Sequence, residues 1–240
     1  ILRAARTLHK PENNQYGILT GTKPEVYTEQ CFTHLALSNG VRQFNENGEL
    51  VFNSPETLET LNFYRQLSGY NPPGPQSWRA RDYYIQGKMA MFFYSTYIMD
   101  DLALAEEARG SLSGDFFSDL KGNAFDPELV NNTGVVTIIK GKRPAGYGAI
   151  VGLCLMKTRS KEGDEATKRL VEFMYEPFSY ITFLHMAPGG MIPVIKEIAS
   201  MPEYLNDPKG LFRKYGRKKM EEIIAGLENI ESFTNIDGRP

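Results

Sequence analysis

Apolar positions along the chain switch between runs, alternation and a helical stripe, and one stretch organises the rest. Residues 86–101 read QGKMAMFFYSTYIMDD. The apolar run Met89-Ala90-Met91-Phe92-Phe93 carries no charge and is bounded by Gly87 and by Ser95-Thr96. That pattern predicts a short strand buried on both faces. Ser95 or Thr96 is the candidate N-cap of a following helix that reaches residue 108, with Ile98, Leu102 and Ala105 on one face. The stretch is therefore a strand–turn–helix corner that carries Tyr94 and Tyr97. In α/β folds ligands collect outside the carboxyl ends of strands.

The same reading extends along the chain. Residues 1–8 continue a helix that His9-Lys10-Pro11 closes, and residues 16–20 form a short apolar strand before Gly21. Residues 23–29 are loop, with 26–29 as a rim. A helix over 28–37 points Cys31, Phe32 and Leu35 inward and stops at Ser38-Asn39-Gly40. Asn45-Glu46-Asn47-Gly48 is a hairpin-type turn between short strands at 41–44 and 49–52. Ser54-Pro55-Glu56 is the clearest helix start, with Ser54 as N-cap and an inner stripe of Leu58, Leu61, Tyr64 and Leu67.

After a Pro/Gly-rich loop at 70–77 comes a turn or two of helix over 79–86. Residues 109–132 read as loop with one short helix. Residues 135–140 and 147–156 (YGAIVGLCLM) are strands, the second buried. Helices follow with Ala166, Leu170, Phe173 and Met174 inward, then Phe178, Ile181 and Leu184. Pro188-Gly189-Gly190 ends that pair, and 208–227 is one last long helix.

Composition narrows the class. Apolar residues make up 41% of the 240, enough to bury a core. The 27 basic and 29 acidic residues nearly cancel, which argues against a nucleic-acid partner. The basic cluster Arg213, Lys214, Arg217, Lys218, Lys219 precedes Glu221 and Glu222 and reads as a solvated helix face. No apolar run approaches the ~18 residues of a membrane span, and no signal peptide is visible. The chain opens without Met on a helical pattern, as a fragment would. Cys31 and Cys154 sit far apart in apolar surroundings and read as buried free thiols, with a disulfide between them as the alternative.

Candidate chemistry is sparse. His9, His34 and His185 lack metal-ligand spacing, and no cofactor motif appears. Asp100 and Asp101 are helix neighbours about 100° apart, so they do not converge on one atom. What remains is aromatic: 13 Tyr, 14 Phe and a single Trp. Tyr27, Trp78, Tyr83, Tyr94, Tyr97 and Tyr147 fall at strand ends or in loops, where an apolar face with a polar tip suits a sugar ring. Core packing is the plain alternative for each. Tyr97, at the corner, is the foremost stacking candidate.

Four stretches, in order, resemble the extracellular solute-binding proteins of ABC importers, the maltose-binding-protein-like family 1. Asn53-Ser54-Pro55-Glu56 and the helix to Tyr64 are similar to its SPE-A-A-L-FY-L helix. Ile85-Gln86-Gly87-Lys88-Met89-Ala90-Met91 resembles F-x-x-G-K-x-A-M. Residues 147–156 look like its Gly-rich return strand. Residues 166–175 and Gly189-Gly190-Met191-Ile192-Pro193 resemble its A-x-x-F-x-x-(F/Y) helix and G-x-(L/I)-P turn. The family's frequent Gly-Gly-Trp is Gly148-Ala149-Ile150 here.

The resemblance implies an α/β, two-lobed periplasmic-binding-protein-like (type II) fold, incomplete at the N-terminus. Residues 1–144 and 201–240 would form the second lobe, and 145–200 the return segment of the first. It implies ligand-binding roles for Tyr97, Tyr94, Ser95, Tyr27, Glu29, Tyr147, Gly148, Ile150 and Trp78. It also implies no catalytic residues, no metal and no cofactor. The implied protein is a monomer at the periplasm or the cell surface, in the latter case as a lipoprotein. Its partners would be a small solute, a carbohydrate foremost, and the membrane permease of an importer. The alternatives are another solute (an anion, a polyamine or a metal chelate) or a carbohydrate-active enzyme. An enzyme needs two carboxylates about 5–9 Å apart across a groove, for which Glu29 and Asp82 are the one pair on offer.

Overall fold

The computed structural model describes residues 1–233. Residues 234–240, the end of the expected second-lobe segment, lie outside the described residues. The N-terminal third is built on the apolar run. Helix α1 (Leu2–Leu8) leads to residues 16–19, which run parallel to the run itself through bridges Tyr16–Met89 and Leu19–Phe92. Main-chain bonds tie Tyr16 N to Lys88 O and Leu19 N to Met91 O, each at 3.0 Å. The pairing is too short and irregular to make a full strand of either segment. Met89 is buried but Ala90 is exposed, so the expected two-sided burial of the run is only partial.

Helix α2 (Val26–Ser38) starts two residues before the expected boundary and buries Tyr27, Cys31 and Leu35 against the run. Asn45–Gly48 turns as expected, with Gly48 in the left-handed region (φ 78°) that glycine tolerates. Its flanks make only the Phe44–Leu50 bridge rather than strands. In α3 (Pro55–Ser68), Ser54 Oγ accepts from Thr57 N as the N-cap. The buried face of α3 is Thr57, Thr60 and Leu67, whereas Leu58 and Leu61 are exposed. The seam against α2 is polar: Asn39 Nδ2 donates to Glu56 O and to Thr60 Oγ1, both at 3.1 Å. A helix that satisfies a neighbour's amide turns its threonines inward, and the leucine stripe goes to solvent.

The largest core lies on the far side of the corner. Helices α4 (Ala80–Ile85), α5 (Ile98–Ala103), α6 (Ala105–Ser113) and α7 (Leu129–Asn132) are joined there by later elements. The single helix expected over 98–108 breaks because Leu104 is extended (φ −127°, ψ 121°). Neither Ser95 nor Thr96 caps α5 with its side chain; Tyr97 occupies that position. Beyond α7, β1 (Ile139–Lys140) is all that forms of the strand expected over 135–140. It pairs antiparallel with β2 (Pro144–Tyr147).

The second half departs most from expectation. Beyond Gly148, whose N–H donates to Glu231 O at 3.1 Å, residues 149–156 are exposed on both sides, Val151 at 91%. A strand buried on both faces needs neighbours on both, and none is present among the described residues. Cys154 is accordingly exposed, not buried, while Cys31 is buried. Helix α8 (Lys161–Tyr175) buries no residue, and Leu170 and Phe173 face solvent. In α9 (Pro177–Leu184), Ile181 and Leu184 reach the core but Phe178 does not.

Short helices α10 (Lys196–Ala199) and α11 (Pro202–Leu205) return to the large core. The expected 208–227 helix divides at Gly216 (φ 80°) into α12 (Leu211–Tyr215) and α13 (Arg217–Gly226). Asp207, three residues before the N-cap Gly210, accepts from Leu211 N and Phe212 N at 2.9 Å each and so serves two free amides of the first turn of α12. Finally β3 (Ile230–Glu231) pairs parallel with β2. No helix among the described residues is long and apolar enough to cross a membrane.

A candidate solute-binding wall

The apolar run delivers its aromatic residues to one place. Tyr27, near the start of α2, is 1% exposed, and its hydroxyl donates to Phe93 O at 2.9 Å. It is thus a support beneath the corner and not the rim residue expected from sequence. Trp78 lies on it with ring centroids 4.8 Å apart and planes tilted by 46°. Tyr94 meets Trp78 edge-on at 5.9 Å and continues to Phe92 at 5.8 Å. Trp78 is 40% exposed, so the cluster has a buried base and a partly open indole. Each such aromatic contact adds about 0.5–1.5 kcal/mol beyond burial, which holds the indole in one orientation.

Tyr97 and Ser95 are also exposed, one step further along the corner. Tyr97 rests on the Pro188-Gly189-Gly190 turn: a Cβ on Gly190 would lie 3.0 Å from Tyr97 Cδ1. Thr96 Oγ1 donates to Gly190 O at 2.7 Å and fixes that contact.

Glu29 and Tyr147 form a second group. Tyr147, at the end of β2, has its phenol pushed up by burial and by the nearby charge of Glu29, with Gln30 opposing. Gly148 is explained by packing: a Cβ there would meet Ile230 at 2.5 Å. Ile150 is 77% exposed on the open segment. The nine sequence-derived positions thus fall into a Tyr27–Trp78–Tyr94 cluster, the neighbouring Ser95 and Tyr97, a Glu29–Tyr147 pair, and the structural Gly148 and exposed Ile150.

Sequence reasoning missed the charged residues behind Tyr94. Arg81 Nη2 lies 2.7 Å from Asp101 Oδ1 and donates to Glu107 O at 3.1 Å. Burial pushes Tyr94 up, and Arg81, Asp101 and Asp82 all act on it. Asp101 is pushed up to about 7, because burial outweighs the pull of Arg81. The signal available was Arg81-Asp82 within an otherwise apolar short helix, followed by two acids at the start of the next.

Asp82 is buried against Ser111 and Glu29 is exposed beside Tyr147. Asp82 is thus withdrawn from the surface at which a carboxylate pair would face a substrate. Among the described residues, no group of three or more His, Cys, Asp or Glu is placed to hold a metal ion. A concavity of about 210 Å³ lined by Leu8, Lys10, Tyr16, Gly87 and Met89 lies at the opposite end of the run. The aromatic corner itself is an open wall.

No protein-family profile matches the sequence. Over 234 residues the chain is 29% identical to a putative ABC transporter periplasmic-binding protein, YcjN, of Escherichia coli K12, covering 97% of this chain and 48% of the relative. Solved structures agree on the fold. A maltose-bound T. maritima MalE3 matches with TM-score 0.63 and 18% identity, over 96% of this chain and 53% of that one. A Thermotoga lettingae solute-binding protein bound to α-D-tagatose matches with TM-score 0.61 and 16% identity, over 97% and 52%. One from Agrobacterium radiobacter K84, in complex with ribitol, matches with TM-score 0.60 and 16% identity, over 95% and 53%. The chain spans about half the length of each. Sequence and fold therefore agree along nearly all of this chain: it carries about half of the ABC-transporter solute-binding-protein fold.

Proposed function

We propose that the chain belongs to an extracytoplasmic receptor that binds a sugar or polyol and presents it to the permease of an ABC importer. The observation that carries this reading is the half-exposed Trp78, seated on the buried Tyr27 and against the partly buried Tyr94 at the carboxyl end of the apolar run. An indole face held in this way stacks on the C–H face of a sugar ring, and the neighbouring Ser95 and Tyr97 hydroxyls supply edge contacts. Binding is non-covalent, and closure of a second wall over the solute excludes water.

In this reading residues 1–144 and 201–233 form one lobe and 145–200 contribute to the other. The exposed apolar faces of 149–156 and α8 support it, because such faces need packing partners. The exposed residues of the corner, Trp78, Ser95 and Tyr97, are uncharged, which favours a neutral solute over a polyamine. Trp78 is the sole tryptophan, so its fluorescence reports on this wall alone. Titration with maltose, ribitol and tagatose should shift its emission saturably, with the sugar recovered unchanged. A shift with an amine or an anion only, or turnover of a sugar, would overturn the proposal.

A further inference from the structure

Behind Tyr97 lies a buried hydrogen-bond relay with one proton too few. Tyr215 Oη, on a residue only 3% exposed, sits 2.8 Å from Asp100 Oδ1 and 2.9 Å from Pro188 O. Both partners are acceptors when Asp100 is ionised, and a phenol has one proton to give. One acceptor would then be left unserved in a dry site, which is costly. A protonated Asp100 resolves this. Its carboxyl O–H donates to Tyr215 Oη, and Tyr215 donates onward to Pro188 O.

The relay ends on the turn that carries Tyr97. Gly189 has φ 80°, and a Cβ there would lie 2.8 Å from the Tyr215 ring. The turn is therefore pressed onto Tyr215 on one side and, through Gly190, onto Tyr97 on the other. Thr96 Oγ1 holds Gly190 O at 2.7 Å, and Tyr215 holds Pro188 O. Two hydrogen bonds thus pin a three-residue turn whose outer face sets the position of the Tyr97 ring.

We propose that Asp100, in its protonated form, is a positioning residue for the solute-binding wall, acting through Tyr215 and the Pro188–Gly190 turn on Tyr97. The proposal rests on the reading of Tyr97 as part of that wall. The surroundings of Asp100 favour the neutral acid. Burial raises it, as do Glu107 from α6 and Asp207 before α12, while the Tyr215 bond and Lys209 pull it down. Asp101, next to it on α5, is itself raised and faces Arg81 of α4. Lys214 of α12 is engaged with Ala103 O at 3.0 Å, and α7 brings no titratable residue. Tyr215 is pushed up well beyond the usual range, so it stays a donor. Because Asp100 is raised in the folded state, the relay is complete at low pH and is lost as pH rises through its folded value.

The test is an NMR titration of the chain without solute, following the Asp100 carboxyl carbon and the Gly189 and Gly190 amides. The amides should titrate with the carboxyl, at a midpoint above the ordinary carboxylate value near 4. Asp100→Asn, whose amide donates to Tyr215 in the same way, should abolish that titration. Tyr215→Phe should uncouple the glycines while Asp100 still titrates. Amides that stay still while Asp100 ionises, or a carboxyl that ionises at its ordinary value, would overturn the proposal.

A second arm uses maltose and ribitol, read by Trp78 fluorescence. Wild-type affinity should fall about three- to tenfold as pH rises through the Asp100 midpoint, the worth of one hydrogen bond. The Asp100→Asn variant should stay level over the same range. Equal pH dependence in both proteins would overturn the proposal. Failure of both sugars to bind at any pH would instead sink the solute reading, with the solute-free titration still deciding the role of Asp100.

Discussion

The Tyr27 hydroxyl donates to the main-chain carbonyl of Phe93 at 2.9 Å, bolting the start of α2 to the end of the apolar run. Replacing Tyr27 by Phe leaves a buried carbonyl without its partner. The expected cost is about 1–2 kcal/mol, read from the midpoint of urea unfolding. The same variant should shift the Trp78 emission, because the indole rests on that ring. A Tyr27→Phe protein as stable as wild type would mean the carbonyl finds another donor.

Leu67 and Leu58, both on α3, should respond very differently to truncation. Leu67 is fully buried, whereas Leu58 is 63% exposed. Leu67→Ala should cost about 2–5 kcal/mol through lost burial and the cavity left behind. Leu58→Ala should stay within about 0.5 kcal/mol of wild type. Denaturant melts of the two variants check this, and equal effects would contradict the polar α2–α3 seam.

Two buried groups should tilt stability in opposite directions across nearly the same stretch of pH. Burial holds His34 down to about 4, from an ordinary 6.5. Between those values the unfolded chain binds the extra proton, so stability is lost as pH falls through that window. Asp101 is raised from 3.8 to about 7, so there the folded chain binds the extra proton. Stability is then lost as pH rises from 3.8 to about 7. The two terms oppose each other over roughly pH 4 to 7, so melting temperature should fall more steeply with rising pH in His34→Gln and rise more steeply in Asp101→Asn. A slope unchanged from wild type in either variant would assign that titration to another group.

At the wall, Trp78→Ala should weaken sugar binding by about 1–3 kcal/mol, the range of a central aromatic contact. Tyr97→Ala should also weaken it, by a smaller amount. Calorimetry measures both, since the first variant removes the fluorophore. Unchanged affinity in Trp78→Ala would return the indole to a packing role.

Local signals were legible where local chemistry decides the outcome. Ser54-Pro55-Glu56 announces its helix because the cap is contained in three residues, and Asn45–Gly48 announces its turn because Gly48 needs a positive φ. The break at Leu104 was not legible: two good helical stretches meet there, and only packing decides that they kink. Nor was the exposure of Leu58 and Leu61, which depends on Asn39 reaching across from another helix. Residues 147–156 read as buried because their composition is that of a buried strand, and composition is silent about whether neighbours are present.

The site followed the same division. The corner with Tyr94 and Tyr97 was found from one stretch of sequence. The descent of Tyr27 from rim to support, and the charges of Arg81 and Asp101 behind Tyr94, arise from contacts between distant segments. The Gly189-Gly190 pair was visible as a turn, but its seat between Tyr215 and Tyr97 was not.

The open segment at 149–156 also governs how the isolated chain behaves in a tube. An extended stretch with free main-chain groups and Ile150, Val151, Leu153, Leu155 and Met156 outward is a template for edge-to-edge growth. Its flank is charged, with Lys157, Arg159 and Lys161 in quick succession, the kind of gatekeeper that slows such growth. Salt screens those charges. Concentrated preparations should therefore keep best at low ionic strength, and sediment as salt is raised.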